Sequence, residues 1–391
     1  MRVMHPQPQA GARMNRRLGA SRGVTLSQTS APFHADGRVR RFAGVAGAVV
    51  ACAAFLTGCK GPSDAAARGG DTPAAAVATE AASRPYFPVR RCMQFANALD
   101  APREGDWGYR IRDADIRTVA RAGFDAIRVP IQWSAYASET PPYRLDPAIF
   151  ARADHVFRLA LDQNLAVIFT LHNYDEMTAD PAGHRARLIA IWDQIARHYA
   201  DWPADLIFEP FNEPNGQLSG AAWEGVADDL TAVIRVSNPT RTLIFGPPEW
   251  NWFDRLEGWT PPRDPYVVAT HHYYAPWEFT VQGAEFLDNP PPRGRRWGTA
   301  QDRAQVRADI RQAADWARER QIPMLLGEFG VHIAAPASDR AAWLRVVREA
   351  AETTGQAWCH HDFATNFAAY EPQREAWRAD VFDALMGVPP P

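Results

Sequence analysis

The sequence holds 391 residues, 46% hydrophobic and 22% charged, with a formal net charge of −3. This is an ordinary globular composition, long enough for one large domain or two average ones. Residues 1–58 carry eight arginines against one aspartate, so the −3 becomes −10 without them. An acidic body argues against nucleic acid or anionic lipid as a partner of the protein surface.

The N-terminal stretch reads as a targeting segment. Arg38, Arg40 and Arg41 precede an uncharged run from Phe42 to Gly58, a positive region followed by an apolar one. The run is shorter than the roughly 20 apolar residues a membrane span needs, and glycines break it. It ends Leu56-Thr57-Gly58-Cys59, which resembles the lipobox of bacterial lipoproteins. That resemblance implies removal of residues 1–58, acylation of Cys59, and an exported protein held on a bacterial membrane, with Lys60 fitting an outer-membrane destination. Met14 offers an alternative start. Residues 59–84 are rich in Ala, Gly and Asp without periodicity and read as a flexible tether.

From residue 85 to 391 no composition break divides the chain, and short apolar runs alternate with helical patterns. Strands are expected at 89–96, 124–131, 165–171, 206–208 (opening the stretch 206–214), 241–246, 266–272, 323–328 and 356–363. Helices are expected at 113–123, 146–163, 183–200, 219–236, 302–320, 338–352 and 374–385. Eight strands alternating with helical segments over about 300 residues predict a single (β/α)8 TIM barrel of the α/β class. No internal repeat occurs after the tether.

The stretch Leu206-Ile207-Phe208-Glu209-Pro210-Phe211-Asn212-Glu213-Pro214 carries the chemistry. It opens as a buried strand and ends in an amide and a carboxyl group. Burying such groups is costly unless they have partners or a task. In a parallel barrel the C-terminal strand ends are the catalytic edge. Met324-Leu325-Leu326-Gly327-Glu328 has the same character, and two glutamates on two strand ends is the layout that paired-carboxylate cleavage of a glycosidic bond requires. Arg128, His172, Asn173, His272, Tyr274 and His361 fall at other strand ends and converge on the same rim if the barrel closes. Singly, each reads as a satisfied structural polar group; together they read as a site. Glu209, in the strand body, reads as a paired acid, and His271 and Tyr273 alternate away from the rim.

These residues resemble glycoside hydrolase family five, the cellulase family of retaining endoglucanases. The resemblance runs through Ile127-Arg128-Val129-Pro130-Ile131, Leu171-His172-Asn173-Tyr174, Phe211-Asn212-Glu213-Pro214, His272-Tyr273-Tyr274 and Gly327-Glu328-Phe329-Gly330. It implies Glu213 as acid/base and Glu328 as nucleophile. Asn212 would bond the sugar 2-hydroxyl, and His172 and Asn173 would contact the sugar. Arg128 and Tyr274 would stabilise the Glu328 charge, and His272 would orient Glu213. It also implies endo-β-1,4-glucanase activity on a β-linked polysaccharide or oligosaccharide, by a monomer, with no metal or cofactor. The same mechanism on mannan, xyloglucan or mixed-linkage glucan is the nearest alternative; a non-catalytic glycan-binding barrel is the alternative of another class.

Fourteen tryptophans are present. Trp192, Trp316 and Trp343 lie in helical patterns and are expected to pack on the barrel. Trp107, Trp133, Trp250, Trp252, Trp277 and Trp297 lie on rim segments, where two or three are expected to stack on sugar rings. Strand eight departs from the family pattern. Many relatives end it Trp-x-Tyr-Trp, the last Trp flooring the subsite of the sugar being cleaved; here it reads Trp358-Cys359-His360-His361. Cys92 and Cys359 fall on the first and last strands. Adjacent parallel strands rarely give bridge geometry, so two buried thiols are expected, although an exported location permits a disulfide.

Overall fold

The computed structural model describes residues 85–172 and 174–390. The proposed signal, Cys59, the tether and Asn173 lie outside the described residues. Eight parallel strands close into a barrel in sequence order, β1 pairing with both β2 and β8. The elements are β1 (Arg91–Gln94), α1 (Asp113–Arg121), β2 (Ala126–Ile131), α2 (Pro147–Asp162), β3 (Ala166–Leu171), α3 (Asp175–Ala179), α4 (Pro181–His198), β4 (Leu206–Glu209), α5 (Gly220–Arg235), β5 (Leu243–Phe245), β6 (Val267–Tyr273), α6 (Trp277–Thr280), α7 (Ala300–Arg320), β7 (Met324–Phe329), α8 (Ala337–Thr354), β8 (Ala357–His360), β9 (Tyr370–Glu371), β10 (Ala376–Trp377) and α9 (Ala379–Met386). The β5–β6 crossover carries only a 3-10 turn, Phe253–Arg255. A small β9–β10 hairpin occupies the segment read as the start of the last helix, so α9 begins at Ala379.

Strand alternation sorts the apolar residues into two sets. Outward residues such as Ile127, Val129, Val167, Phe169, Phe208, Leu326 and Trp358 join the helices in the large core. Inward residues form a second cluster inside the barrel: Cys92, Ile168, Ile207, Ile244, Val268, Leu325 and Cys359 among them. This is the filled interior expected of such a barrel. One step further along the strands the interior turns polar, with Gln94, Arg128, Glu209 and His272 all buried.

Cys92 and Cys359 are disulfide-bonded, which corrects the expectation of two thiols. They are register partners on β1 and β8, and both project inward into the same narrow barrel. Convergence of inward side chains supplies the approach that a flatter parallel sheet denies. The bond staples the seam where the first and last strands meet.

Candidate active site

Strand phase positions the rim side chains that lie within the strands. On β6, Val268 faces inward, so Thr270 and His272 do too. On β7, Leu325 faces inward and Leu326 outward; strict alternation would then turn Glu328 outward. A β-bulge intervenes. His271 pairs with Leu326, but His272 pairs with Glu328, leaving Gly327 as the extra residue. A bulge re-aims the side chains after it, and here it turns Glu328 into the barrel. Only glycine fits: a Cβ on Gly327 would lie 2.3 Å from Thr270 Oγ1.

Arg128 is the hub. Its side chain is fully buried, and all five of its N–H donors are engaged. Nε and Nη2 donate to Glu209 at 2.7 and 2.8 Å. Nη2 also reaches Asn212 Oδ1 at 2.6 Å, and Nη1 reaches Gln94 Oε1 at 2.5 Å and Glu328 Oε1 at 2.6 Å. Glu328 accepts two further bonds, from Gln94 Nε2 at 3.2 Å and from Tyr274 Oη at 3.0 Å. Burial alone would raise the Glu328 pKa; the opposing charges of His272 and Arg128 win, and hold it well below the ordinary carboxylate value.

Glu213 lies across the cleft with its side chain a quarter exposed. Oxygens of Glu213 and Glu328 and a nitrogen of His272 all lie within 4.8 Å of one another. His272 Nδ1 stands 2.5 Å from Glu213 Oε1. Burial is the largest influence on Glu213 and raises its pKa. The Glu328 charge adds to it, and the His272 bond and the Arg128 charge offset only part. The two carboxyl groups are therefore pushed apart in acidity, one toward the anion and one toward the acid. Three close donor atoms can in principle hold a metal. Here the buried Arg128 cation sits 2.6 Å from Glu328, and Tyr274 holds the other Glu328 oxygen, so the donor set is already engaged within the chain.

The other expected residues divide. His172 is half-buried, its Nε2 3.5 Å from Asn212 Nδ2. Trp250 and Trp277 are half-buried; Trp277 stands 6.5 Å from both Tyr274 and Trp252, ring to ring. Trp133 is fully buried, packed on Phe150 and Phe169 at 5.4 and 5.9 Å. It offers no face to a sugar, and the sequence expectation of a rim role is corrected: the 3-10 turn after β2 folds it back into the core. Trp297 is likewise buried, stacked on Phe279. His361 follows β8 directly, its Nδ1 2.7 Å from Gln94 Nε2 and 3.8 Å from Glu328 Oε2.

Two residues of this centre were missed by sequence reading. Gln94 touches Arg128, Glu328 and His361 at once; its inward phase on β1, two residues after Cys92, was the available signal. Asn251 is fully buried and bonds the Asn212 carbonyl through Nδ2 at 2.5 Å, while its own carbonyl accepts from the His272 backbone N–H at 2.7 Å. It ties the Glu213 loop to β6. It ends a left-handed run, Glu249, Trp250 and Asn251 at φ 60°, 60° and 54°, a conformation costing roughly 1–2 kcal/mol per residue.

The chain resembles known proteins along the barrel. It is 30% identical over 311 residues to Endoglucanase H of Acetivibrio thermocellus, covering 77% of this chain and 33% of that one. It is 24% identical over 332 residues to Endoglucanase 3 of Fibrobacter succinogenes, covering 72% and 50%. The chain thus spans a third to a half of the length of these curated relatives. Among solved structures, Thermotoga maritima Cel5A in complex with cellobiose is 35% identical, with a TM-score of 0.75 over 76% of this chain and 97% of that one. The same enzyme has been solved in complex with mannotriose. The model of the cellulase family, glycosyl hydrolase family 5, matches residues 91–364, and the chain belongs to that family.

Proposed function

We propose that the chain hydrolyses β-1,4-linked glucan with retention of configuration, Glu328 acting as nucleophile and Glu213 as acid/base. The observation that carries this reading is the pair itself: carboxyl oxygens within 4.8 Å, close to the roughly 5–5.5 Å spacing of retaining enzymes and short of the roughly 6.5–9.5 Å of inverting ones. In the first step the Glu328 carboxylate attacks the anomeric carbon while Glu213 gives its proton to the departing glycosidic oxygen. In the second, water attacks the anomeric carbon as Glu213 takes its proton, and the bond to Glu328 breaks to release the carboxylate. Arg128 and Tyr274 keep Glu328 ionised, and His272 orients Glu213. Asn212 is held by Arg128 through Oδ1, with its Nδ2 3.5 Å from His172 Nε2, and its amide N–H would donate to a sugar hydroxyl.

Glucan is favoured by the endoglucanase relatives. Mannan is the second reading, favoured by the mannotriose complex of a structural neighbour. The test is reducing-end release from a panel of glucans, mannan and xyloglucan, with Glu213→Gln and Glu328→Gln as controls. Release from glucan that both variants abolish supports the reading; release from mannan alone moves the substrate; binding without release by the unmutated chain removes the activity. The reading also takes a monomer as the working unit and places it on a bacterial membrane through acylated Cys59, on the strength of the lipobox-like Leu56–Cys59 pattern. Metabolic labelling with a fatty-acid analogue, lost in Cys59→Ser, tests the anchor.

A further inference from the structure

His361 stands where the family resemblance leads one to expect a flat aromatic floor, and its surroundings fix what it can offer instead. Gln94 sets the state of the ring. Its Oε1 faces Arg128 Nη1 at 2.5 Å, and a guanidinium has donors only. Its Nε2 faces Glu328 Oε1 at 3.2 Å, and a carboxylate accepts only. Turning the amide over would set like against like at both ends, so its orientation is determined by its neighbours rather than assigned by choice. The amide N–H that remains points at His361 Nδ1, 2.7 Å away. Nδ1 must therefore carry a lone pair, and the imidazole proton must sit on Nε2.

Among the described residues no side chain bonds Nε2. Its nearest described acid oxygen, Asp362 Oδ2, is 4.0 Å away, beyond hydrogen-bond reach, and that oxygen is already bonded by the Thr365 hydroxyl. The His361 side chain retains 17% exposure, while Glu328 beside it retains 6% and Asp362 behind it 1%. One flank of the ring is closed by Phe367, centroid to centroid 4.9 Å, and another by Tyr274 at 6.4 Å.

We propose that His361 is a specificity-determining residue: a neutral imidazole whose Nε2–H donates to a hydroxyl of the sugar attacked by Glu328, with Gln94 as the positioning residue that sets its tautomer. The inference rests on the reading of Glu328 as nucleophile. The subsite then selects by a directional hydrogen bond rather than by ring stacking. Such a seat rejects a sugar lacking the matching hydroxyl more sharply than an apolar floor can, because the buried polar group is left unpaired.

The test joins a tautomer measurement to a cleavage series, both on the full chain. In protein carrying ¹⁵N-histidine at neutral pH, with the His361 signals assigned by their loss in His361→Gln, a proton on Nε2 and none on Nδ1 is expected. A proton on Nδ1 overturns the proposal. In Gln94→Leu a mixture of tautomers is expected, and an unchanged single tautomer overturns the part given to Gln94. Neither readout needs catalysis. In cellotetraose cleavage, His361→Phe, which keeps a flat face and loses the donor, lowers kcat/KM roughly 10–100-fold. His361→Gln, which keeps both an acceptor for Gln94 and a donor for the sugar, recovers most of that loss. The reverse order, with Phe at or above the unmutated chain, establishes stacking and overturns the proposal. If the unmutated chain cleaves no β-glycan, the proposed function fails. The proposal is then decided by whether cellotetraose shifts the His361 Nε2 signal: a shift supports it and no shift overturns it.

Discussion

Glu328 faces the barrel interior because Gly327, one residue before it, is the extra residue of a β-bulge. Without that bulge the strand's alternation would send the carboxylate into the helix layer. A Cβ at position 327 meets Thr270 Oγ1 at 2.3 Å and His272 Nε2 at 3.2 Å. Gly327→Ala is therefore expected to cost about 1–3 kcal/mol in stability, as overpacked cores do. It is also expected to lower kcat far more than it raises KM, because it shifts the Glu328 carboxylate. Urea denaturation and steady-state kinetics on the same samples check both; wild-type kcat in a destabilised variant would show that the bulge is structural only.

The opposite acidities of the two glutamates predict a bell-shaped pH profile for kcat/KM. Activity needs Glu328 charged, so it falls as pH drops through a pKa held well below the ordinary value. It needs Glu213 protonated, so it falls as pH rises through a pKa lifted above that value. His272 pulls both groups down, Glu328 through its charge and Glu213 through its hydrogen bond and its charge. His272→Gln is expected to move the acid limb to higher pH and to lower the maximum. An acid limb that stays in place would mean that His272 does not hold the Glu328 carboxyl down.

His360 gives a separate pH signature, in stability. It is fully buried beside Phe329, and burial pushes its pKa down to about 3, a backbone contact at Asp362 offsetting only part. A depressed histidine favours the fold in its neutral form. That contribution is complete above the unfolded value near 6.5 and is lost as pH falls toward 3. His360→Leu removes it, so the variant gains on the unmutated chain by about 1.4 kcal/mol per pH unit below pH 6. Denaturant midpoints of both proteins across pH 4–7 measure the difference; parallel curves would mean that water reaches the ring.

The Cys92–Cys359 bond closes a sequence separation of 267 residues across the barrel seam. Long loops carry large closure entropy in the unfolded chain. Reduction, or the Cys92→Ala/Cys359→Ala pair, is expected to cost about 2–4 kcal/mol, with little effect on kcat because both cysteines belong to the apolar cluster inside the barrel. Denaturation with and without reductant checks this.

Much of this was legible in the sequence. Apolar runs spaced by helical patterns locate all eight strands, and strand ends rich in His, Asn, Glu and Tyr mark the rim. The resemblance to the cellulase family named the same two glutamates that the structure brings within 4.8 Å. What escaped has physical causes. Trp133 follows a strand end, as a rim residue does, but a 3-10 turn sends it into the core, and nothing in one sequence marks that reversal. Gln94 is an ordinary strand glutamine until Arg128 and Glu328, distant in sequence, close around it. The disulfide depends on barrel curvature, which pairwise rules for adjacent strands do not contain. Gly327 inside an apolar strand was a visible bulge signal.

In the proposed mechanism Glu328 attacks the anomeric carbon directly while Glu213 supplies the proton. The most direct measurement is proton NMR of the first product released from a β-linked cello-oligosaccharide, taken before mutarotation. The β-anomer is predicted, since two displacements restore the starting configuration. Initial appearance of the α-anomer would mean a single displacement by water and would contradict the account.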